Sequence, residues 1–299
     1  MIKLKRIVVG HSFFPDGDIA LQVAGQFARQ ANAALYLLHV VEPYPFYQKL
    51  RFPFVPAHAM LEEVVLKLRA QLNDLAAQPA LAGVHVETDA HVGKPFLELI
   101  RACRNWDANL LVVGVSQRGE GRFLGSTGER VLRKSPSPVL LAKREIPVGP
   151  KTVLVPVDFS AGAKQAAEEA LALVRGFGGR AILLHVLDLS SYVYPTAYDG
   201  APVIIPPLTP EDIEPDWQHF LAGLQLDGIA WEQQTREGRA APCIVDAARE
   251  CSADLVVMGT HGRTGLAHVL LGSVTEAVLR LTDCSVLTVR PDAFSFELP

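Results

Sequence analysis

Cysteine is scarce in this sequence, and the four that occur are widely scattered: Cys103, Cys243, Cys251 and Cys284. They form no Cys-x-x-Cys pair and have no histidine pair nearby. This spacing argues against a zinc site and against a disulfide framework, and it favours reduced thiols. We therefore expect a cytoplasmic protein with no metal ion held by its own side chains.

An excess of charge of one sign is also lacking. Lys and Arg number 28 against 32 Asp and Glu, which leaves a net charge of −4 and no basis for a broad basic face. Nucleic acid is therefore not an expected partner. No apolar run approaches the roughly 18 residues of a membrane span. Residues 1–10 are too poor in apolar side chains for a signal peptide and are predicted to form a strand, so no membrane is expected either.

Two common nucleotide-binding motifs are missing as well. The Walker pattern GxxxxGK[ST] does not occur, and no GxGxxG follows a predicted strand. The usual phosphate-loop and dinucleotide-binding folds are thereby disfavoured.

What the 299 residues do contain is an internal repeat. The segment IVVGHS at 7–12 returns as VLVPVD at 153–158, which is 146 positions later, and four further landmarks return after 145 to 147 positions. Such an ordered series indicates a duplication. The segment 145–150, with two prolines and a glycine, separates the copies. The sequence thus predicts one domain at 1–146 and a second at 151–292.

Each copy alternates apolar strands with helices. In the second copy the strands are predicted at 152–157, 181–187, 229–237, 255–259 and 286–289, with helices at 163–175, 210–226, 240–251 and 274–281. Nearly continuous Val, Ile and Leu strands favour a parallel sheet covered on both faces. We predict an α/β protein made of two repeated, doubly wound, parallel five-stranded sandwiches of Rossmann-like type, with ligands at the carboxyl ends of the strands.

An aromatic, Pro-rich segment at 43–56 is predicted to be an ordered surface loop, with a lid or an interface as the alternative.

The most informative segment is 258–275. It begins at the end of a predicted buried strand and includes Gly272-Ser273 at the start of a predicted helix. Glycines let the backbone approach a ligand closely. Free amides and the helix dipole then favour an anion. Ser273 is expected either to cap the helix or to donate its hydroxyl to a phosphate, and Arg263 would add a cation. A helix start with no ligand is the alternative.

The spacing of Gly259, Gly262 and Gly272-Ser273 resembles the signature of the ATP-binding universal stress proteins. The segments 253–262 and 270–278 also look like that family almost word for word, and the resemblance covers both copies. It implies a fold similar to the adenine nucleotide α-hydrolases and a bound ATP, and it leaves open whether Mg²⁺ accompanies the nucleotide.

The resemblance also implies roles for individual residues. An acid after the first strand and the residue closing the second would lie on the base side, and the later glycines and the hydroxyl would hold the phosphates. The predicted cofactor-binding residues are Pro156, Val157, Asp158, Val186, Met258, Gly259, Gly262, Arg263, Gly272, Ser273 and Val274. Asp158 and Ser160 are also good helix caps, which is the alternative explanation for them. His261 is interpreted as a loop residue without chemistry, and His39 and His185 as core or rim residues.

The first copy departs from this pattern. Gln117 stands at the position of Gly262, Ser12 replaces the acid, and the interval from Gly114 to Gly125 is 11 positions against 13 in the second copy. We expect a reshaped or closed phosphate cradle and a structural or regulatory first domain. Two arginines in this loop keep anion binding open as an alternative.

The favoured function is an ATP-binding, nucleotide-dependent switch in a stress response, with at most slow hydrolysis because no catalytic constellation is evident. A non-nucleotide interaction module with vestigial sites is the alternative. An ATP-cleaving ligase is disfavoured because residues 157–160 are not an SGGxDS-like loop. The strands at 139–142 and 286–289 are expected to pair and make an intramolecular pseudo-dimer, and further association of two chains stays open.

Overall fold

The computed structural model describes residues 4–42, 57–115, 125–146, 149–187, 208–260 and 271–290. The aromatic segment at 43–56, the loop of the first copy that contains Gln117, and the residues His261, Gly262 and Arg263 lie outside the described residues. Among the helices of the described part, none is both long and apolar enough to cross a membrane.

Strands and helices alternate along the described chain. In order they are β1 (Arg6–Gly10), α1 (Pro15–Ala31), β2 (Ala34–Val41), α2 (Ala57–Ala76), a 3-10 turn (Pro79–Leu81), β3 (Val86–Val92), α3 (Pro95–Asn105), β4 (Leu110–Gly114), α4 (Gly125–Lys134), β5 (Val139–Ala142), β6 (Thr152–Val157), α5 (Ala161–Phe177), β7 (Arg180–Leu187), α6 (Glu214–Ala222), β8 (Ala230–Glu237), α7 (Ala240–Glu250), β9 (Leu255–Gly259), α8 (Ser273–Leu281) and β10 (Ser285–Val289). The predicted α/β class is confirmed.

The chain divides into two compact units. The first unit contains the described residues from 4 to 149 together with 283–290 from the chain end, and the second contains those from 150 to 282. The last strand, β10, thus clusters with the first unit.

The sheet of the first unit has the strand order β3-β2-β1-β4-β5-β10. All neighbours are parallel except β5 and β10, which are antiparallel with Leu287 opposite Leu140. The pairing expected between 139–142 and 286–289 is therefore present. Side chains reinforce it, because Thr288 Oγ1 donates to the Val139 carbonyl at 3.2 Å and the Lys143 amide donates to Ser285 Oγ at 3.2 Å.

The sheet of the second unit has the order β9-β6-β7-β8, and its neighbours are parallel. In both units the first strand lies between the second and the fourth. The strand order therefore switches from one side of the first strand to the other at β1 and at β6. A crevice opens at the carboxyl ends of the strands at such a switch point.

Local sequence explains where the helix after β6 begins and ends. Ser160 caps α5 by accepting the Ala163 amide at 3.1 Å. Gly178 ends the helix in the left-handed conformation at φ 66°, which glycine adopts without a steric cost. The helix begins two residues before the predicted 163 because Ser160 is its cap, and it ends two residues after the predicted 175 because Gly178 terminates it. Three alanines of this helix, Ala166, Ala167 and Ala170, are fully buried, and their small side chains permit close packing on the sheet.

Candidate functional site

A cavity of about 300 Å³ opens in the second unit at the carboxyl ends of β6, β7 and β9. Nine of the eleven residues predicted from the sequence line it: Pro156, Val157, Asp158, Val186, Met258, Gly259, Gly272, Ser273 and Val274. The other two, Gly262 and Arg263, lie outside the described residues. Six lining residues were not predicted: Ala163, Leu184, His185, Ala240, Ile244 and Thr275.

The parallel sheet brings these residues together. β6 pairs with β7 on one side and with β9 on the other, so their carboxyl ends reach the same edge. Ala240 and Ile244, on α7, line the wall. These two were missed because an apolar helix face following a strand gives no signal that separates cavity lining from ordinary core.

Hydrogen bonds fix the orientation of the Asp158 side chain at the carboxyl end of β6. Its Oδ1 accepts the Ser160 amide at 3.0 Å and the Ser160 hydroxyl at 2.6 Å. The helix cap is thus Ser160, and Asp158 orients that cap rather than capping the helix itself. The carboxylate still lines the cavity, so the capping role and the predicted ligand role are compatible.

The start of α8 also lines the cavity. Gly272 is the N-cap residue and makes no side-chain cap hydrogen bond, and the helix begins at Ser273. Of the two roles considered for Ser273, the helix cap is not observed, because Ser273 already belongs to the first turn. The amides of a first turn have no intrahelical acceptor. Since the N-cap residue Gly272 has no side chain to accept from them, these amides are suited to an anion.

Thr275 ties this helix start to β9. Its Oγ1 donates to the Gly259 carbonyl at 2.9 Å, and the Gly272 amide donates to the Thr260 carbonyl at 2.7 Å. Thr260 is fully buried. These bonds set the distance between the end of β9 and the first turn of α8.

Gly259 is required where β9 meets α5. A Cβ on it would lie 3.0 Å from both the carbonyl carbon and the oxygen of Gly162, which is tighter than normal van der Waals contact. Two glycines facing one another thus let the strand end and the helix start approach closely. Their missing side chains also leave space beside the cavity.

An aromatic cluster packs next to the carboxyl end of β6. Phe159 adopts φ 62° and stacks on His185 with the ring centroids 4.5 Å apart, and Trp217 packs edge-on against Phe159 at 5.2 Å. His185 Nδ1 donates to the Val157 carbonyl at 2.7 Å. The prediction that this histidine is a core or rim residue agrees with its position, since it is buried and also lines the cavity.

The first unit has a corresponding cavity of about 370 Å³ at the ends of β1, β2 and β4. The helix starts differ, because Gly125 has φ 69° whereas Gly272 has φ −66°. The chain therefore enters the two helices along different paths. The loop 116–124, which would form the phosphate cradle of the first unit, lies outside the described residues, so the expectation of a reshaped or closed cradle stays a prediction.

No group of three or more His, Cys, Asp or Glu side chains is arranged for a metal ion within the described ranges. All four cysteines are free thiols. Burial raises the pKa of the Cys103 thiol to about 12, so this cysteine stays protonated.

The fold and the two cavities define a duplicated α/β protein with ligand-sized crevices at the strand ends. The profile of the Universal stress protein family matches residues 3–143 and again 149–290. The chain therefore belongs to the universal stress protein family, with two family domains in tandem.

Individual relatives agree with this assignment. Universal stress protein Rv2623 of Mycobacterium tuberculosis is 29% identical over 303 residues, which cover 95% of this chain and 96% of the relative. Universal stress protein MJ0531 of Methanocaldococcus jannaschii is 33% identical over 140 residues, covering 47% of this chain and 82% of the relative. The crystal structure of a universal stress protein from Archaeoglobus fulgidus has a TM-score of 0.72 at 21% identity and covers 95% of this chain and 98% of that one. This last similarity shows the fold.

Proposed function

We propose that the protein binds ATP in the cavity of the second unit and acts as a nucleotide-dependent switch in a stress response. The observation that carries the proposal is that nine residues predicted from the family resemblance line one cavity, together with a helix start whose N-cap residue is a glycine. The positions come from β6, β7, β9 and α8, which are far apart in sequence.

The cavity has chemically different ends that suit the parts of a nucleotide. Asp158 and the β7 end at Val186 line one part of it, where a carboxylate can accept from a ribose hydroxyl or an adenine amino group. Gly272 and the first turn of α8 line another, where free amides and the positive helix end favour phosphate. Gly262 and Arg263, which lie outside the described residues, are proposed to bind the phosphates as well.

The proposed activity is binding with at most slow hydrolysis. Asp158 and His185 are the titratable side chains among the described lining residues. Asp158 Oδ1 is engaged by Ser160, and His185 Nδ1 is engaged by the Val157 carbonyl. Fast phosphoryl transfer needs a placed metal ion and a group that positions water. The described residues contain no group of acidic or histidine side chains arranged for a metal ion. Any Mg²⁺ would therefore come with the nucleotide and be held mainly by its phosphates.

The first test is to denature the purified protein and identify the small molecules that it releases. We expect one adenine nucleotide per chain, or one ATP bound per chain in calorimetric titration of the ligand-free protein. Gly272→Val places a β-branched side chain at the helix start, with its Cβ 3.3 Å from the Thr260 carbonyl oxygen. This variant should lose ATP binding, whereas Gly125→Val should retain it.

Two results would contradict the proposal. Equal loss of ATP from both variants would remove the asymmetry between the units. Sustained turnover of about ten per second, an ordinary enzymatic rate, would replace the switch by an enzyme.

A further inference from the structure

The outer strand of the second unit, β8, has an unpaired edge among the described residues. It is the last strand in the order β9-β6-β7-β8, and it pairs with β7 in unbroken parallel register from Ala230 opposite Arg180 to Glu237 opposite Leu187. Its eight residues include no proline and form no bulge. A long, regular edge of this kind presents amides and carbonyls to any strand that can pair with it.

The hydrogen bonds to β7 determine which residues of β8 face this edge. The Gly238 amide donates to the Leu187 carbonyl at 2.9 Å, so the even-numbered residues direct their backbone groups towards β7. Successive residues of a strand alternate in this direction. The backbone groups that point away from the sheet therefore belong to Trp231, Gln233, Thr235 and Glu237.

The side chains of β8 are also more accessible than those of the corresponding edge strand of the first unit. Residues 230–233 and 237 are exposed, and Trp231 is 37% exposed. In the first unit, the 20-residue helix α2 lies against the edge strand β3, where Arg69 donates to Asp89 at 2.7 Å. The described helix that precedes β8, α6, has only nine residues. The edge of the second unit is thus the less covered of the two.

The charges of β8 are complementary to those of a second copy of the same strand. If two β8 strands pair antiparallel about a two-fold axis at Gln234, their outward-facing residues fall opposite one another, as hydrogen-bonded pairs require. In this register Glu232 lies opposite Arg236 of the partner copy. This is a non-hydrogen-bonded pair, in which opposed side chains are closest. The two-fold axis produces the same ion pair a second time.

Other symmetric registers lack this match. A shift by two positions sets one of the two charged residues opposite Gln234, and a shift by four sets Glu232 opposite Glu232 or Arg236 opposite Arg236, which is destabilising. Both side chains are accessible, at 46% for Glu232 and 29% for Arg236. Within the chain, Glu232 lies 3.9 Å from Arg180, and Arg236 Nη2 bonds to Glu250 at 2.7 Å. A guanidinium has five donors, so Arg236 can bind a second carboxylate.

We propose that the free edge of β8 is an interaction surface for a second copy of this chain, and that two second units join there through antiparallel β8 strands into one continuous sheet. Backbone hydrogen bonds supply the affinity, and the pairs of Glu232 with Arg236 fix the register. Thr235 of the partner copy becomes a diagonal neighbour of Trp231, within reach of its ring. The inference is independent of ATP binding, because no residue of β8 is among the described lining of the second cavity.

The test is sedimentation equilibrium of the full chain over a range of concentrations. The unaltered chain should form a dimer that dissociates on dilution. Gln233→Pro removes an outward-facing amide and no hydrogen bond to β7, which is the placement that an edge strand tolerates. It should abolish the dimer and leave the urea midpoint of the monomer nearly unchanged. Gln233→Thr keeps the amide and is the matched control, which should still dimerise.

Charge exchange tests the register. Glu232→Arg sets like charges opposite one another in both symmetric pairs and should raise the dissociation constant of the dimer by at least about tenfold. The double variant with Glu232→Arg and Arg236→Glu restores opposite charges across the interface and should recover most of this loss. Because Arg236→Glu also removes the bond to Glu250, urea midpoints of both variants are compared to confirm folding.

Cross-linking gives a second measure of the register. In the proposed pairing, the two copies of residue 234 face one another with Cα atoms about 4.5 Å apart, which suits a disulfide. Gln234→Cys should therefore yield covalent dimers on mild oxidation, well beyond those of the unaltered chain with its four free cysteines.

A chain that stays monomeric at every concentration would overturn the proposal. A dimer that persists in Gln233→Pro or is unaffected by Glu232→Arg would do so as well, because it would use another surface. If Gln233→Pro does not fold, Glu232→Arg and the double variant decide the question. None of these measurements involves a nucleotide, so a failure of ATP binding would contradict the proposed function and leave this inference standing.

Discussion

Single glycines determine how closely the strand ends and helix starts approach at each cavity. Gly114 is the most constrained of them, because an added Cβ would lie 2.0 Å from the oxygen and 2.4 Å from the carbon of the Asp16 carbonyl. Both are backbone atoms that cannot rotate away. We expect Gly114→Ala to lower the free energy of unfolding by about 1–3 kcal/mol, measured by urea denaturation.

Gly128→Ala is the matched control, since its added Cβ would meet only the Leu141 side chain at 4.0 Å. Gly128 lies within α4, where alanine is preferred over glycine by about 1 kcal/mol. This variant should be unchanged or slightly stabilised. Equal destabilisation by both changes would mean that the close approach at Gly114 has no special cost.

The buried histidine at the end of β1 makes stability depend on pH. Burial lowers the pKa of His11, against the opposing effect of Asp18, whose carboxylate lies 3.3 Å from Nε2. The unfolded chain then binds the proton more readily than the folded one, so stability is lost as pH falls below about 6.5. His11→Val, which copies Val157 of the second unit, should make the loss between pH 8 and pH 6 shallower in urea midpoints. A slope as steep as that of the unaltered chain would exclude this role.

Sequence reasoning located most cavity residues but could not assign every role. Asp158, Val186 and Gly259 were found because the resemblance to the universal stress proteins assigns ligand contacts to the ends of these strands. Asp16 was missed as a cavity residue, because an acid in the first turn of a helix is common for dipole reasons alone. The capping role of Ser273 was left open for a similar reason, since the sequence Gly-Ser does not tell which residue is the cap.

At the scale of elements, the pairing of β5 with β10 depends on side chains as well as on backbone. Thr288 Oγ1 donates to the Val139 carbonyl, and Ser285 Oγ accepts from the Lys143 amide, both at 3.2 Å and both buried. Thr288→Val and Ser285→Ala should each lower stability by about 1 kcal/mol. The two sites are about 10 Å apart along the strand, so their effects should add.

Thr88→Val is the matched control, because the Thr88 hydroxyl bonds to Asn73 on the exposed side of β3. Surface changes of this kind stay within about 0.5 kcal/mol. Urea midpoints for the three variants give the comparison. A loss for Thr88→Val as large as that for Thr288→Val would remove the special role of the β5–β10 bonds.

The strands were more predictable than the helix ends. Predicted and observed bounds coincide at 152–157 and 255–259, because a buried parallel strand is a continuous apolar run with clear limits. The helix predicted at 210–226 is observed only at Glu214–Ala222. Its buried anchors, Trp217 and Phe220, pack on Phe159, and such long-range contacts are not visible in a local pattern.

For the whole molecule, the duplication explains both what the units share and where they differ. Each unit repeats a phenylalanine in left-handed conformation beside a histidine of its second strand, Phe13 with His39 and Phe159 with His185. The histidine donates in both units to a carbonyl at the end of the first strand, at 2.7 Å. The framework around the cavities is thus kept, while the side chains lining them differ. We therefore expect the two cavities to differ in the ligands that they bind.

This difference between the two cavities should be measurable when the whole chain binds ATP. A ligand that binds only the folded form stabilises it by about 2.7 kcal/mol at one hundred times its dissociation constant. If ATP occupies only the second unit, that stabilisation should slow amide hydrogen exchange roughly a hundredfold in β6, β7 and β9. Exchange in β1, β2 and β4 should be unchanged, as measured by mass spectrometry of peptides from the full chain. ATP protection of β1 to the same degree as β6 would show that the two cavities do not discriminate.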